Sequence, residues 1–176
     1  MGVVNKNKGG MYFCMAKAKQ AKHPCGKLCH LHYVHNTVFV LNVASSGITS
    51  LLLLGGRTAH SRFKIPIPTL DNSIYNIHQG SELAALLKMT RLIIWDEAPM
   101  AHKFYFKALD KSLRDIMKTN SNEPKFFGEK FVVFGGDFRQ ILSIIPRGSR
   151  SDIVHATANA SYQWDSCDVL TLTKNM

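Results

Sequence analysis

Residues 91–97 read Arg-Leu-Ile-Ile-Trp-Asp-Glu, a short apolar run that is followed directly by two acids. An apolar run of this length, rich in β-branched and aromatic residues, is typical of a buried strand. Three more stretches share this pattern: residues 37–43, 130–134 and 168–172. Because these runs do not alternate with polar residues, they favour a parallel sheet that is covered by helices on both faces.

Helical patterns lie between the predicted strands. Residues 45–47 are Ser-Ser-Gly, which places capping residues in front of a short apolar helix at 48–54 that two glycines end. Ser81 is expected to cap a second short helix that ends near Met89.

Residues 102–118 form the clearest amphipathic helix of the chain. Their apolar residues recur three and four positions apart, and Asp110 and Arg114 form a pair across one turn. Residues 57–80 are expected to be mostly irregular, because two prolines there oppose a helix. Helices that alternate with buried strands make α/β the predicted fold class.

The chain changes character near Thr37. Residues 1–36 are lysine-rich, aperiodic and free of acids, which predicts a divergent basic segment that is poorly ordered. Residues 37–176 carry the strand and helix patterns and are predicted to form one domain. No apolar run approaches the roughly 18 residues of a membrane span, and no signal peptide is visible, so an intracellular protein without membrane contact is expected.

Positive charge concentrates in the first part of the chain. The net charge is +10, and nine Lys and Arg precede the first acid, Asp71, whereas the remaining 13 nearly balance 12 Asp and Glu. A basic block of this kind attracts polyanions, of which nucleic acid is the commonest. For residues 1–35, a solvated lysine-rich tail without a specific partner is the alternative.

A cluster of cysteines and histidines lies within the basic segment. Cys25, Cys29, His32 and His35 are the residue types that bind zinc. Structural zinc sites usually separate two ligand pairs by a dozen or more residues, and this cluster lacks such a loop. The spacing therefore argues against a zinc site, although it leaves open whether these residues ever bind a metal.

Two predicted strands run into residues that could carry chemistry. The first ends in Asp96-Glu97, and the strand at 130–134 is followed by Gly135-Gly136-Asp-Phe-Arg-Gln140. Ligands of open parallel sheets bind beyond the carboxyl ends of the strands. There a carboxylate can hold Mg²⁺ on nucleotide phosphates, the next acid can activate water, and Gln140 can reach a terminal phosphate. The alternative is that both segments are ordinary solvated turns.

Five motifs follow one another in an order that resembles the petite-integration-frequency (PIF) type ATP-dependent DNA helicases, particularly the plant and Helitron-transposon branch. The resemblance covers about residues 38–176. The motifs are Val40-Leu-Asn-Val-Ala-Ser-Ser-Gly-Ile-Thr-Ser50, Gly55-Gly-Arg-Thr-Ala-His-Ser-Arg-Phe63, Trp95-Asp-Glu-Ala-Pro-Met100, Gly135-Gly-Asp-Phe-Arg-Gln-Ile-Leu142 and Leu170-Thr-Leu-Thr-Lys-Asn-Met176.

The resemblance implies a RecA-like motor domain that hydrolyses ATP with Mg²⁺ and moves 5′ to 3′ along single-stranded DNA, in DNA repair, recombination and telomere maintenance. By motif, Asp96 would hold Mg²⁺, Glu97 would activate water, and Gln140 would sense the γ-phosphate. It implies a nuclear location, with a mitochondrial one as the second possibility, and no obligate protein partner is evident.

The resemblance also implies a path for single-stranded DNA. Its hydroxyls and backbone amides would contact phosphates, and its rings would contact bases. The implied residues are Ala44, Ser45, Ser46, Gly47, Thr58, His60 and Phe63. Independently of the family, Arg57, Arg62 and Lys64 form an electrostatic track beside them. For His60 and Phe63, ordinary packing in the core is the alternative.

The chain departs from the family at both ends. The phosphate-binding pattern G-x-x-x-x-G-K-[ST] is absent; its nearest counterpart is Cys25-Gly26-Lys27-Leu28, in which Ala21 replaces the first glycine and Leu28 the hydroxyl. We therefore expect the first strand and the phosphate loop to be missing or degenerate. The sequence also stops at Met176, before the family's second motor domain.

These departures predict a helicase fragment with little or no ATP turnover. Two alternatives remain open at this point. One is a non-catalytic module that binds single-stranded nucleic acid through its basic half. The other is a decayed transposon product without a stable fold.

Overall fold

The computed structural model describes residues 9–16, 39–118, 126–138, 145 and 148–172 of the chain. Its centre is a sheet of six strands in the order β3-β2-β4-β5-β1-β6, in which all neighbouring strands are parallel. The strands are β1 (Gly10–Ala16), β2 (Phe39–Ala44), β3 (Arg57–Thr58), β4 (Thr90–Asp96), β5 (Phe131–Gly136) and β6 (Cys167–Leu172).

Five α-helices accompany the sheet: α1 (Gly47–Leu52), α2 (Ala59–Phe63), α3 (Glu82–Met89), α4 (Lys103–Met117) and α5 (Arg150–Ala156). Four short 3₁₀ helices lie at Ala98–Met100, Phe126–Glu129, Ala158–Ala160 and Trp164–Ser166. Both counts refer to the residues that the structure describes. The architecture confirms the predicted α/β class with a parallel sheet.

The expectation that the first strand is missing is wrong. Strand β1 lies inside the sheet, where Phe13 pairs with Phe134 of β5 on one side and with Val169 of β6 on the other. Phe13 is fully buried. The apolar run at 11–16 was obscured in the sequence because lysines flank it on both sides. The division at residue 36 stays a prediction, since residues 17–38 lie outside the described part of the chain.

The two faces of the sheet carry separate clusters of buried side chains, because successive residues of a strand point to opposite faces. In β4, Ile93 and Trp95 belong to the larger cluster, whereas Leu92 and Ile94 belong to the smaller one. All four are at most 3% exposed. The continuous apolar run is therefore explained by a strand that is buried on both sides.

Helix α4 confirms the strongest helical prediction. The residues that the pattern marked as apolar are buried against the larger cluster: Phe106, Leu109, Leu113 and Ile116. Asp110 is buried as well, and it has more partners than the predicted pair with Arg114, whose guanidinium lies 2.8 Å away. Its carboxylate also accepts the backbone N–H of Phe127 at 2.5 Å, which attaches the 3₁₀ helix Phe126–Glu129 to α4.

The remaining helices differ from the sequence patterns mainly in length. Helix α1 begins at Gly47 and ends at Leu52, two residues before the predicted end, and α3 agrees with its prediction. Helix α2 was not predicted. It begins after Thr58, whose hydroxyl accepts the N–H of Ser61 at 3.3 Å, and it interrupts a segment that was expected to be irregular.

Strand β5 is preceded by a buried cation. Lys130 is 4% exposed, and its Nζ donates to the carbonyl oxygen of Thr90 at 2.7 Å. Burial, together with the charge of Arg91, lowers the pKa of Lys130 from 10.5 to about 8. Removing a charged amine from water disfavours its protonated form, and nearby positive charge adds to that effect.

This pKa predicts how stability depends on pH. Between pH 8 and 10.5 the unfolded chain still binds the proton of Lys130, whereas the folded protein has lost it, so rising pH stabilises the fold. Urea unfolding at several pH values should show this gain in wild type relative to the Lys130→Met variant, which has no group to titrate here. Parallel pH profiles for the two proteins would contradict the prediction.

Candidate nucleotide and nucleic-acid site

All six strands are parallel, so their carboxyl ends meet at one edge of the sheet. At this edge Ala44 of β2 pairs with Asp96 of β4, and Trp95 pairs with Phe134. Strand β4, which ends in Asp96, and strand β5, which ends in Gly135-Gly136, are therefore neighbours in the sheet. Gln140 lies outside the described residues, so its role stays a prediction.

Asp96 is the last residue of β4 and is only 9% exposed. Its Oδ1 accepts the backbone N–H of Glu97 at 2.9 Å, which fixes the direction of the carboxylate. Gly135 leaves room beside it, because a Cβ on Gly135 would lie 3.1 Å from Oδ1. The Asp96 carboxylate is thus held at the strand end, and the residue beside it on β5, Gly135, has no side chain.

Glu97 has a backbone conformation that the sequence did not reveal. Its φ of 53° and ψ of 37° are left-handed, which costs a residue with a side chain about 1–2 kcal/mol. The carbonyl oxygen of Glu97 accepts the N–H of Met100 at 3.1 Å, and Ala98 and Pro99 are buried behind it. The chain therefore turns sharply after Asp96 and leaves the Glu97 side chain partly exposed at the edge.

The two glycines at the end of β5 allow close contacts within the chain. A Cβ added at these positions would meet Asp96 or Pro99. Gly136 has a φ of 152°, and a Cβ there would lie 2.4 Å from Cδ of Pro99. The turn that presents Glu97 can pack against β5 only because Gly136 has no side chain.

The predicted phosphate contacts after β2 are engaged in local hydrogen bonds. Ser45 donates its N–H to the carbonyl oxygen of Asp96 at 3.1 Å, and its Oγ accepts the indole N–H of Trp95 at 2.9 Å. Ser46 is the N-cap of α1, where its Oγ accepts the N–H of Thr49 at 3.2 Å. Gly47 is exposed. Both serines thus shape the segment, whatever they bind.

The basic track lies beside this segment, on β3 and α2. Arg57 and Lys64 are exposed, and Thr58 caps α2. Arg62 is half-buried and donates from its guanidinium to the carbonyl oxygen of Gly55 at 3.3 Å. Burial and the neighbouring charge of Arg57 lower the pKa of Arg62. Arg57 and Lys64 are therefore the two side chains of the track that reach solvent most freely.

The two predicted rings differ in their surroundings. His60 is partly buried, its ring meets Tyr105 edge to face at 5.0 Å, and burial lowers its pKa, which leaves the ring neutral at pH 7. Phe63 has no exposed surface and packs between Tyr75 and Trp95 at centroid distances of 6.0 and 5.8 Å. Its predicted contact with a base is wrong, because α2 turns Phe63 into the core.

A closed metal site is not formed by the described residues, among which no group of three or more His, Cys, Asp or Glu could hold an ion. Cys25, Cys29, His32 and His35 fall outside them. Mg²⁺, however, is commonly held by one or two carboxylates together with substrate phosphates and water. Asp96, fixed at the strand end with space left by Gly135, fits that role.

The family model of the PIF1-like helicases matches residues 1–176, the whole chain. The chain belongs to the PIF1-like helicases. The match includes β1 and the basic segment that follows it, which the sequence patterns alone had set apart from the family.

Solved structures of Pif1 helicases share the fold. A Bacteroides Pif1 bound to single-stranded DNA is 22% identical, with a TM-score of 0.72 over 94% of this chain and 38% of that one. A Bacteroides Pif1 in complex with ADP-AlF3 and single-stranded DNA is 23% identical, with a TM-score of 0.72 over 98% and 40%. Pif1 from Candida albicans is 19% identical, with a TM-score of 0.67 over 94% and 37%.

This PIF1-like chain thus spans about two fifths of the length of those structures. No curated protein has a significantly similar sequence. Within the part of the chain that the structure describes, no helix has the length and apolar character needed to cross a bilayer.

The contact between Gly136 and Pro99 predicts that Gly136→Ala disturbs the turn that presents Glu97. The added Cβ would overlap Pro99 and would need a φ that side chains rarely adopt, so we expect a loss of about 1–3 kcal/mol in the free energy of unfolding. Gly80→Ala is the matched control, because a Cβ there meets nothing within 4 Å. Chemical denaturation that gave both variants the same stability would contradict the contact.

Proposed function

We propose that this chain is part of the first motor domain of an ATP-dependent DNA helicase, with nucleotide at the β4–β5 ends and single-stranded DNA along β2 and β3. One observation carries the proposal: Asp96 and Glu97 lie between the serine segment after β2 and the two glycines that end β5. In addition, Pif1 structures of the same fold are described with ADP-AlF3 and with single-stranded DNA.

At the nucleotide site, Asp96 would hold Mg²⁺. The ion, when bound with ATP, supplies positive charge that offsets the charge developing on the phosphates. Glu97 is partly exposed one residue further on and is suited to orient a water molecule and accept its proton. Gln140 would report the state of the terminal phosphate, as the family resemblance implies.

Along the nucleic-acid edge, Arg57 and Lys64 would contact phosphates, since both are exposed beside the end of β2. Ser46, Gly47 and Thr58 would add hydroxyl and backbone contacts where α1 and α2 begin. Such contacts fix the path of a strand without reading its sequence. The neutral edge of His60 would offer a surface to a base.

The end of β1 at Ala16 changes the place where a phosphate loop should be sought. In P-loop proteins the loop follows the first strand, and the spacing G-x-x-x-x-G-K-[ST] then falls on Ala16, Ala21, Lys22 and His23. This is a second candidate beside the one at Cys25–Leu28. Residues 17–23 lie outside the described part of the chain, so the assignment rests on spacing alone.

The substitutions in this loop support impaired ATP binding. Two alanines stand where glycines would let backbone amides approach phosphates, and His23 stands where a hydroxyl would bind Mg²⁺. Lys22 keeps the charge that neutralises phosphate. We therefore propose that this chain binds ATP weakly and turns it over slowly, as a diverged member of the plant and Helitron branch.

Repairing the loop tests its position and its defect together. The triple variant Ala16→Gly, Ala21→Gly, His23→Thr should bind a fluorescent ATP analogue with Mg²⁺ about tenfold or more tightly than wild type, since hydrogen bonds to charged groups contribute about 1.5–3 kcal/mol each. Adding Lys22→Ala should remove that gain. Unchanged weak binding would refute the loop assignment, and tight binding by wild type would refute the defect.

The nucleic-acid edge predicts which cations matter for binding. In fluorescence anisotropy with a labelled single strand, Arg57→Ala with Lys64→Ala should reduce the slope of log affinity against log salt by about 1.4, which corresponds to two lost phosphate contacts. Lys88→Ala with Arg91→Ala is the matched control, because both residues are exposed at the amino end of β4. Equal salt slopes for the two double variants would refute the proposal that single-stranded DNA binds along β2 and β3.

A non-catalytic module that binds single-stranded nucleic acid is the second candidate. The degenerate spacing at 16–23 favours it, because a chain without a phosphate loop can keep a basic edge. If the chain binds DNA but the triple variant still fails to bind nucleotide, the result favours the non-catalytic module. Movement 5′ to 3′, roles in repair, recombination and telomere maintenance, and a nuclear or mitochondrial location are proposals that rest on the family resemblance.

A further inference from the structure

We propose that Trp95 is a positioning residue that links binding of single-stranded DNA to the placement of Asp96 and Glu97. The inference rests on the proposed nucleic-acid function of the β2–β3 edge. It assigns to a buried core residue the task of coupling that edge to the nucleotide site, through one hydrogen bond on one side of the indole and one ring contact on the other.

The hydrogen bond joins Trp95 to Ser45. The indole Nε1 donates to Ser45 Oγ at 2.9 Å, and Ser45 in turn donates its N–H to the carbonyl oxygen of Asp96 at 3.1 Å. Ser45 is the first residue after β2, and Ala44 pairs with Asp96 in the sheet. Ser45 therefore holds both the side chain of Trp95 and the backbone of the residue that follows it.

The ring contact joins Trp95 to α2. Phe63 lies 5.8 Å from the indole and is the last residue of α2, whose N-cap is Thr58 and whose neighbours in the chain include Arg57 and Lys64. Both segments of the proposed DNA path thus reach the same side chain: the first through Ser45 and the second through Phe63. Phe63 does not contact a base. It connects α2, which carries part of the proposed DNA path, to Trp95 inside the core.

The burial of Trp95 makes these contacts depend on one another. The side chain is 1% exposed and packs against Phe106 and Phe134 at 5.0 and 6.4 Å, so its N–H has no access to bulk water. If a phosphate drew Ser45 Oγ away, a buried donor would lose its acceptor, which is costly. Ser45 and the indole therefore move together, and so does the chain at Asp96.

Glu97 is the residue through which such a movement would act. The left-handed backbone conformation of Glu97 is rare for a residue with a side chain, so it persists only while the surrounding contacts stabilise it. Small movements of the preceding residues would change those contacts. The support comes from Asp96 Oδ1, which accepts the N–H of Glu97, and from the turn at Ala98–Met100. DNA binding at Ser45 would thus reach the acid that orients water.

Trp95 fluorescence separates coupling from a purely structural role. The chain has two tryptophans, so Trp164→Phe leaves Trp95 as the only tryptophan whose emission is recorded. Trp164 is only partly buried and contacts Phe13 and Phe138, and a phenyl ring preserves that packing. The Trp164→Phe protein is titrated with a labelled single strand, and the anisotropy of the label shows when binding is saturated. At saturation the emission maximum of Trp95 should have shifted.

Ser45 variants decide the outcome. At saturating DNA, Ser45→Ala should abolish the shift of Trp95 emission, whereas Ser45→Thr, which keeps the hydroxyl, should retain it. An emission spectrum that does not respond to saturating DNA in the Trp164→Phe protein overturns the coupling while leaving DNA binding intact. A full shift in Ser45→Ala also overturns it. An absence of any anisotropy change refutes the proposed function itself.

A second measurement needs no substitution of Trp164. Fluorine NMR of the full chain labelled with 5-fluorotryptophan should give one resonance for each indole, and Trp95→Phe identifies the one from Trp95. Addition of an unlabelled single strand should move the Trp95 resonance, and Ser45→Ala should suppress the movement. A Trp95 resonance that stays in place at saturation overturns the coupling.

Discussion

Parallel pairing with β2 and β5 holds β4 in the middle of the sheet and fixes where its polar end lies. Strand β4 is buried on both faces, with Ile93 and Trp95 in one cluster and Leu92 and Ile94 in the other. A slip of one residue would exchange the two sets of side chains between the faces, so the register is strongly determined. That register places Asp96 level with the end of β2.

The chemistry of the edge follows from this placement. A strand end offers a carboxylate whose backbone is held by the sheet, and the neighbouring strands decide what surrounds it. On one side Ser45 bonds to the Asp96 carbonyl, and on the other Gly135 and Gly136 leave space for the carboxylate and for Pro99. A nucleotide site and a nucleic-acid edge can share a few residues here because neighbouring strands end together.

The sequence predicted β4, β5 and α4, since these features depend on apolar runs and on periodicity. It failed for β1, where flanking lysines outweighed a short apolar run, and for Phe63, because a five-residue helix is too short to show a period. The left-handed conformation of Glu97 arises from packing around Pro99 and Gly136, and no local pattern reports it. Asp110 likewise gains a partner, Phe127, that is distant in sequence.

Residue-resolved amide hydrogen exchange at Ser45 reports whether β2 and β4 are held together at their carboxyl ends. The Ser45 amide lies just beyond β2 and donates to the carbonyl oxygen of Asp96, at the end of β4, at 3.1 Å. The account predicts protection of this amide comparable with that of the β4 amides, because both open only when the sheet opens. Exchange at the rate of an unstructured peptide, while β4 stays protected, would contradict it.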